Sequence, residues 1–305
     1  MRWYCVGKGV TTVFISTIVN MKGIFSPMKA IAFVLLLTTL AACRNDALVP
    51  SEPQRPSEVN AKKGFGDIIF YALAGGIQLD KYSTKNPEML LQSVTITGLQ
   101  TGEQIKGIDF RPRNGKLYGL GSTSRIYVIN PETGVATMAG TGPFTPMLTG
   151  NVAGFDFNPT VDRIRIVTDQ GQNLRVNPDN GMVVMNGVDG MINGQAGARI
   201  SAVAYTNNMD GAMTTTLYDI DISSQKLFKQ MPPNNGTLVE VGSLGLKVVG
   251  EGGFDISPSG VPLALFEVNK KATLFTIDLE TGRATTIAKY DKDLMYTGIA
   301  IPTMP

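Results

Sequence analysis

The stretch Gly-Phe-Asp-Phe-Asn-Pro at residues 154–159 has near copies at residues 107–112 (Gly-Ile-Asp-Phe-Arg-Pro) and residues 253–258 (Gly-Phe-Asp-Ile-Ser-Pro). The starts of the three copies are 47 and 99 residues apart, so the longer gap has room for one more unit. Ser-Ala-Val-Ala-Tyr-Thr, from Ser201, fills it with a similar apolar rhythm, and Gly-Ile-Ala-Ile-Pro, from Gly298, is a fifth copy. A repeat of 45–52 residues made of short strands is typical of β-propeller blades.

The unit that follows the first copy contains four strand-like segments. They cover residues 107–111, 116–121, 125–130 and 135–139, and turns rich in Pro, Asn and Gly separate the first pair and the last pair. Such turns favour antiparallel hairpins, because Gly and Asn accept positive φ. The second of these turns recurs at residues 177–181, 233–236 and 279–282. The pattern predicts four-stranded blades.

The two ends of the repeat region complement each other. Residues 68–73, 77–83 and 91–97 match second, third and fourth strands, but no first strand precedes them. A surplus first strand lies at residues 298–301. We therefore predict an all-β, five-bladed propeller in which the C-terminal strand completes the first blade and removes the open sheet edges. The alternative is six blades, with part of residues 186–199 or 206–216 forming another sheet.

The N-terminal region has the pattern of a bacterial lipoprotein signal. Lys29 precedes an apolar run, and Leu-Ala-Ala-Cys at residues 40–43 matches a lipobox. This predicts a targeting segment over residues 1–42 with its true start at Met28, a lipidated Cys43 and flexible tether over residues 43–64, and the propeller over residues 65–305. An ordinary secretory signal or a short membrane anchor is the alternative.

Charge and cysteine content bear on partners and compartment. The chain carries 27 Lys and Arg against 25 Asp and Glu, a net charge of +2. Residues 1–42 hold four of the basic residues and no acidic one, so processing before Cys43 would leave a net charge of −2. A near-neutral domain without a basic stripe argues against nucleic acid as a partner. The processed domain would have no disulfide, because Cys5 is removed and Cys43 carries lipid.

The sequence contains no His. This excludes Ser-His-Asp and Cys-His catalysis and zinc sites built on His. No set of acid, base and nucleophile stands out among the remaining residues. The composition therefore favours a protein that is not an enzyme.

Three acidic residues occupy the same place in the repeated first strand: Asp109, Asp156 and Asp255. First strands line the central channel of a propeller, so three carboxylates there could bind a hard cation such as calcium. Alternatively each Asp caps nearby backbone N–H groups in its own blade and recurs because the fold recurs. Val203 and Ala300 are expected at this place in blades four and one, which leaves the ring of carboxylates incomplete.

Blade three departs most from the repeat. A turn centred on residues 160 and 161 puts Asp156 opposite Arg165, where blade two has Asp109 opposite Tyr118, so we expect Asp156 and Arg165 to pair. A buried pair of this kind would fix the packing between blades. The alternative is a polar site for an anionic or sugar-like ligand. Its candidate residues are Asp156, Arg163, Arg165, Asp169, Gln172, Asn173 and Arg175.

Residues 154–178, which run from Gly-Phe-Asp-Phe-Asn-Pro through Thr-Val-Asp-Arg-Ile-Arg-Ile-Val-Thr to Leu-Arg-Val-Asn-Pro, resemble the characteristic run of a bacterial domain-of-unknown-function family, number 4394. Residues 117–125 and 214–221 are similar to its other characteristic runs, and the resemblance spans about residues 65–302. It implies an exported repeat domain. It implies no activity, ligand or catalytic residue, so the function has to be argued from sites.

We therefore expect a lipid-anchored propeller of the bacterial cell envelope, on the periplasmic or outer face. Its partners would be the membrane, through the lipid on Cys43, and a protein, glycan or small ligand that it binds without chemistry. The alternative is a cation-dependent hydrolase or lactonase that uses the three channel carboxylates. A purely structural role in the envelope is a third possibility.

Overall fold

The computed structural model describes residue 64, residues 66–290 and residues 295–303. The predicted targeting segment and Cys43 lie outside the described residues, as does all of the predicted tether except its last residue. The described part is almost entirely β-strand, and its one helical segment is the 3-10 turn Pro233–Asn235. No helix in that part is long and apolar enough to cross a membrane.

Within the described residues, twenty strands form five antiparallel sheets of four strands each, as the repeat predicts. From the axis outward, blade one consists of β20 (Tyr296–Ala300), β1 (Ile69–Ala74), β2 (Gln78–Ser83) and β3 (Gln92–Thr95). Blade two consists of β4 (Ile105–Phe110), β5 (Leu117–Gly121), β6 (Arg125–Ile129) and β7 (Ala136–Ala139). Blade three consists of β8 (Ala153–Asn158), β9 (Arg163–Thr168), β10 (Asn173–Asn177) and β11 (Met182–Val188).

Blades four and five follow the same order. Blade four consists of β12 (Ile200–Tyr205), β13 (Leu217–Asp221), β14 (Lys226–Gln230) and β15 (Leu238–Ser243), and blade five of β16 (Val249–Ile256), β17 (Pro262–Val268), β18 (Lys271–Ile277) and β19 (Ala284–Tyr290). The described residues therefore form five blades and not six. β20 pairs with β1, which confirms that the C-terminal strand completes blade one.

The innermost strands contact one another in a closed ring: β20, β4, β8, β12, β16 and back to β20. The glycine that opens the repeated motif makes this contact possible. A Cβ on Gly107 would lie 2.6 Å from the Cβ of Phe155, and one on Gly154 would lie 2.8 Å from the backbone N of Val203. A pocket in the central channel, lined by all five of these strands, has a volume of about 10 Å³, room for about one water molecule.

Apolar side chains fill the junctions between neighbouring blades. Among the described residues, the clusters at four junctions contain eleven to thirteen buried apolar residues each. The cluster between blades three and four contains seven. This junction therefore depends least on apolar packing, and polar groups occupy part of it.

Candidate functional sites

The central carboxylates lie together near the propeller axis. Asp109, Asp156 and Asp255 come from β4, β8 and β16, and each is 1% exposed. One carboxylate oxygen of each lies within 4.8 Å of the other two. The repeat therefore brings three acidic groups from three blades into one buried cluster, as the sequence predicts.

Each of these carboxylates also joins its blade to the next. Asp109 Oδ2 accepts a hydrogen bond from the backbone N of Phe157 at 2.8 Å, which lies on the first strand of the following blade. Asp156 does the same through the backbone N of Tyr205 on β12 at 3.0 Å, and Asp255 through that of Ile301, which directly follows β20, at 2.6 Å. Asp109 and Asp255 also accept hydrogen bonds within their own strands, from the backbone N of Phe110 and of Ile256, so the expected capping role is present and the bonds between blades add to it.

In blade four the place of this aspartate belongs to Ala204, and the expectation of Val203 is wrong by one residue. A β-bulge precedes both Gly107 and Ala202, which makes these two residues equivalent. Ala204 accordingly lies opposite Tyr218, as Asp109 lies opposite Tyr118. In the sequence, Ser201 resembles the repeat glycine because its side chain is small. The bulge shows that Ala202 is the equivalent residue.

Burial dominates the electrostatics of the cluster. It raises the pKa of Asp109 and of Asp156 well above the usual range of a carboxyl, and repulsion from the other carboxylates adds to the rise. Burial also raises the pKa of Asp255, to about 7. Three desolvated negative charges at this spacing are unfavourable unless protons or a cation offset them.

A fourth polar group, which the sequence analysis missed, lies against the cluster. Asn208, in the loop between β12 and β13, is completely buried, and its Nδ2 lies 3.4 Å from Asp255 Oδ1. Its Oδ1 has no hydrogen-bond partner among the described residues, and neither has Oδ2 of Asp156. Asn208 lies outside the repeated motif, so no repeat pattern could have indicated it.

The second candidate site is a cavity of about 230 Å³ at the blade 3–4 junction. It opens at the end of the propeller that carries the loops between first and second strands. The residues that line it are Asn158, Val161, Arg163, Ile164, Arg165, Arg175, Tyr205, Pro232, Pro233 and Asn234. Three of the seven residues proposed from the sequence, namely the three arginines, therefore meet at one cavity.

Arg165 is the centre of a network between the blades. The guanidinium bonds to Asp189 at 2.6 Å and to Asn173 at 2.7 Å within blade three, and to Asn234 of blade four at 2.7 Å. Its Nε also donates to the hydroxyl of Tyr205 at 3.3 Å. Asp156 and Arg165 are opposite each other in register, as predicted, but Asp189 is the carboxylate that pairs with Arg165.

The other two arginines remain more accessible. Arg175 shares Asp189 with Arg165, and 27% of its side chain is exposed. Arg163 is half-buried, and its hydrogen bonds within the described residues go to the backbone carbonyls of Val161 and Asp162. Arg163 therefore lines the cavity without a carboxylate partner in that part of the chain.

The cavity between blades three and four has an excess of positive charge because one position of the repeat that is acidic in other blades is neutral there. In blades two and three, the turn between the third and fourth strands carries an acid that pairs with a cation of the preceding blade: Lys81 pairs with Glu132, and Arg111 with Asp179. Blade four has the neutral Asn234 at this place. Among the described residues, Asp189 is thus the only acid that forms ion pairs with the three arginines of this cavity.

The remaining predicted ligand residues lie elsewhere. Asp169 accepts hydrogen bonds from the backbone N of Asn151 and of Val152, ahead of the first strand of blade three. Gln172 bonds to the backbone of the same connection, at Met147 and Thr149. Neither lines the cavity. Asn173 does not line it either but bonds to two residues that do, Arg165 and Pro233. Asp156 belongs to the central cluster.

Asp219 is a further buried acid that the sequence did not single out. It lies on β13, is completely buried, and neither of its carboxylate oxygens has a hydrogen-bond partner among the described residues. Burial raises its pKa well above the usual range, and the charge of Arg165 opposes part of that rise. In register it takes the place that Gly119 has in blade two.

A family model described as a domain of unknown function, DUF4394, matches residues 78–300. The chain therefore belongs to this family, as its resemblance at blade three predicts. No curated protein matches the chain. The family description names no activity, so it leaves the function to be argued from the two sites.

Several solved structures are similar in fold. A chain of a nidogen/laminin complex is 11% identical, with 78% of this chain and 98% of that chain covered and a TM-score of 0.45. A structural genomics protein of unknown function from Bacteroides thetaiotaomicron VPI-5482 is 16% identical, with 80% and 70% covered and a TM-score of 0.46. The Dos1 propeller is 13% identical, with 71% and 56% covered and a TM-score of 0.36. At these identities and scores, none of them bears on the function.

Proposed function

We propose that this member of the DUF4394 family is a non-catalytic binding module whose ligand is a small anion held in the cavity between blades three and four. The observation that carries the proposal is the charge imbalance at that cavity. Arg163, Arg165 and Arg175 line it, and among the described residues Asp189 is the only acid that forms an ion pair with any of them, because Asn234 replaces the acid that blades two and three supply. Guanidinium groups recognise carboxylate and phosphate oxygens through paired hydrogen bonds.

The size of the cavity limits the ligand. Pockets for drug-sized molecules usually have about 300–1,000 Å³, and this one has about 230 Å³. A compact oxyanion, such as a phosphate or a sugar acid, suits it better than a long chain. The apolar wall of Val161, Ile164 and Pro232 would contact the uncharged part of such a ligand.

The geometry favours this function over hydrolysis at the central carboxylates. Those three groups are each 1% exposed, and the pocket in the central channel has room for about one water molecule. Because the carboxylates are buried, an organic substrate could reach them only if the surrounding groups were rearranged. A binding cavity at the surface requires no such rearrangement.

Arg163 offers the sharpest test of the cavity, because it has no part in the Arg165 network. We expect Arg163→Gln to weaken the binding of inorganic phosphate or glucuronate about ten- to a hundredfold, measured by titration calorimetry, with the melting temperature unchanged. The matched control is Arg113→Gln, which removes an exposed arginine from the corresponding turn of blade two. Equal affinities in the wild type and both variants, or no binding of either probe to the wild type, would exclude this cavity as the site.

The proposal includes attachment of the module to the bacterial envelope through lipid on Cys43. The lipobox at residues 40–43 and the Pro-rich polar segment that follows it support this part. Cells that express the protein and are fed an alkyne fatty acid should label it, and Cys43→Ser should abolish the label. A label that persists in Cys43→Ser would contradict the anchor and leave the cavity proposal untouched.

A further inference from the structure

The central carboxylates and the Asn208 amide form a cluster of oxygen atoms whose hydrogen bonding is incomplete. Oδ2 of Asp156 and Oδ1 of Asn208 are buried acceptors with no donor among the described residues. A buried polar atom without a partner costs free energy, so two of them in one cluster call for an explanation. Both are oxygens, the kind of atom that a hard cation such as calcium binds.

We infer that one Ca²⁺ ion binds at this cluster, with Asp109, Asp156, Asp255 and the amide oxygen of Asn208 as its protein ligands. The carboxylate oxygens lie within 4.8 Å of one another. Two oxygens on opposite sides of a calcium ion, each bonded at about 2.4 Å, are about 4.8 Å apart. Magnesium requires nearly ideal octahedral geometry and usually keeps several of its waters, so a buried set of side-chain oxygens from different blades suits calcium better.

Asn208 is the independent indication of a cation. Its amide lies beside Asp255 but makes only a long contact with it, 3.4 Å from Nδ2 to Oδ1. A turn of the amide by 180° exchanges nitrogen and oxygen in the same space. With a cation among the carboxylates, the oxygen faces inward as a ligand and the nitrogen takes the outer position.

The charges around the cluster also require a partner. The carboxylates accept hydrogen bonds from backbone N–H groups of their own and neighbouring strands, including those of Phe110 at 2.7 Å and Ile256 at 2.6 Å. None of the ion pairs seen within the described residues includes Asp109, Asp156 or Asp255. A divalent ion would offset two of the three negative charges, and water would complete its coordination.

The ion would hold the blades together at the centre of the ring. Its ligands come from the first strands of blades two, three and five and from the first loop of blade four. It would thus join four of the five blades at the axis, and the described residues contain no Cys that could do so through a disulfide. This role is independent of ligand binding at the cavity between blades three and four.

The experiment uses the protein purified in detergent, with calcium chloride as the probe. Elemental analysis should find about one calcium per chain. EDTA should lower the melting temperature by about 5 °C or more, and added calcium should restore it. No bound calcium at millimolar free calcium, with the same melting temperature in EDTA, would overturn the inference and leave protons or water as what offsets the charges.

Two variants locate the ion. Asn208→Ala removes no charge and should weaken calcium binding at least about tenfold. Tyrosine-sensitised terbium luminescence, with calcium as the competitor, would measure the affinity. Asp219→Asn is the matched control: it changes a buried acid outside the cluster and should bind calcium like the wild type. Unchanged calcium affinity in Asn208→Ala would overturn the proposed ligand set. If that variant does not fold, the calcium content and EDTA response of the wild type still decide the question.

Discussion

The junction between blades two and three and the junction between blades three and four both place an arginine across neighbouring blades. Arg111 bonds to Asp162 and Asp179, two acids on turns of the following blade. Arg165 meets Asn234 on the corresponding turn, and its acid, Asp189, belongs to its own blade. The first junction is thereby closed by charge pairs, whereas the second keeps unneutralised arginines around a cavity.

Apolar packing differs between these junctions in the same direction. Among the described residues, eleven buried apolar residues fill the junction of blades two and three, and seven fill that of blades three and four. The comparison shows how a repeat acquires a site. At the junction of blades three and four, one turn lacks the acid and the apolar cluster is smaller, whereas the blades on either side keep the same four-stranded fold.

The largest effect expected is that of Arg165→Ala, which should lower the free energy of unfolding by about 3–5 kcal/mol. The variant leaves the carboxylate of Asp189, 4% exposed, with only Arg175 as an ionic partner. Urea denaturation would measure the loss. Arg165→Ala/Asp189→Ala should recover part of it, and a loss below about 1 kcal/mol in the single variant would show that the network does not hold these blades together.

Arg111→Ala tests the closed junction and should cost about 2–4 kcal/mol, somewhat less than Arg165→Ala. The side chain of Arg111 is 5% exposed, but its partner Asp162 is 16% exposed and keeps Arg113 nearby. The same denaturation measurement applies. Arg113→Ala, an exposed arginine on the same acid, is the control and should change stability by less than about 0.5 kcal/mol; equal losses in the two variants would contradict this account.

Asp219 should make the junction between blades three and four sensitive to pH. Its pKa is raised in the folded state, so folding binds a proton that the unfolded chain releases above about pH 4. Its contribution to stability is therefore complete below pH 4 and is lost as the pH rises toward the folded pKa. Between pH 5 and pH 7.5, the free energy of unfolding of Asp219→Asn, measured by urea denaturation, should fall by about 1–3 kcal/mol less than that of the wild type. Parallel pH dependences of the two proteins would show that the pKa of Asp219 is not raised.

The smallest change in stability, and the most direct test of the comparison, is Asn234→Asp. It restores the acid that blades two and three carry on this turn, beside the Nη2 of Arg165. Because the position is exposed, stability should rise by no more than about 1 kcal/mol. Phosphate or glucuronate binding should weaken about tenfold in calorimetry, since the new carboxylate competes for the arginines. Unchanged binding would break the link between the missing acid and the site.

The sequence predicted much of the scaffold because periodic constraints repeat along the chain. Each Gly of the motif permits close contact of the inner strands, and each Asp bonds to the next blade, so both recur with the blade. The sequence also indicated Arg163, Arg165 and Arg175, because blade three departs from the repeat there. The register of blade four was wrong by one residue, since a β-bulge left no mark in the sequence.

By itself, then, the sequence determined the five blades, the closing strand, the three axial carboxylates and the blade on which the arginines lie. The tertiary structure alone decided that Asp189 and not Asp156 pairs with Arg165, that Asn208 reaches the central cluster, and that the arginines surround a cavity. These contacts join residues from loops and different blades, whose spacing follows no period. A period encodes contacts that recur with every blade, and a contact made once depends on where the folded loops meet.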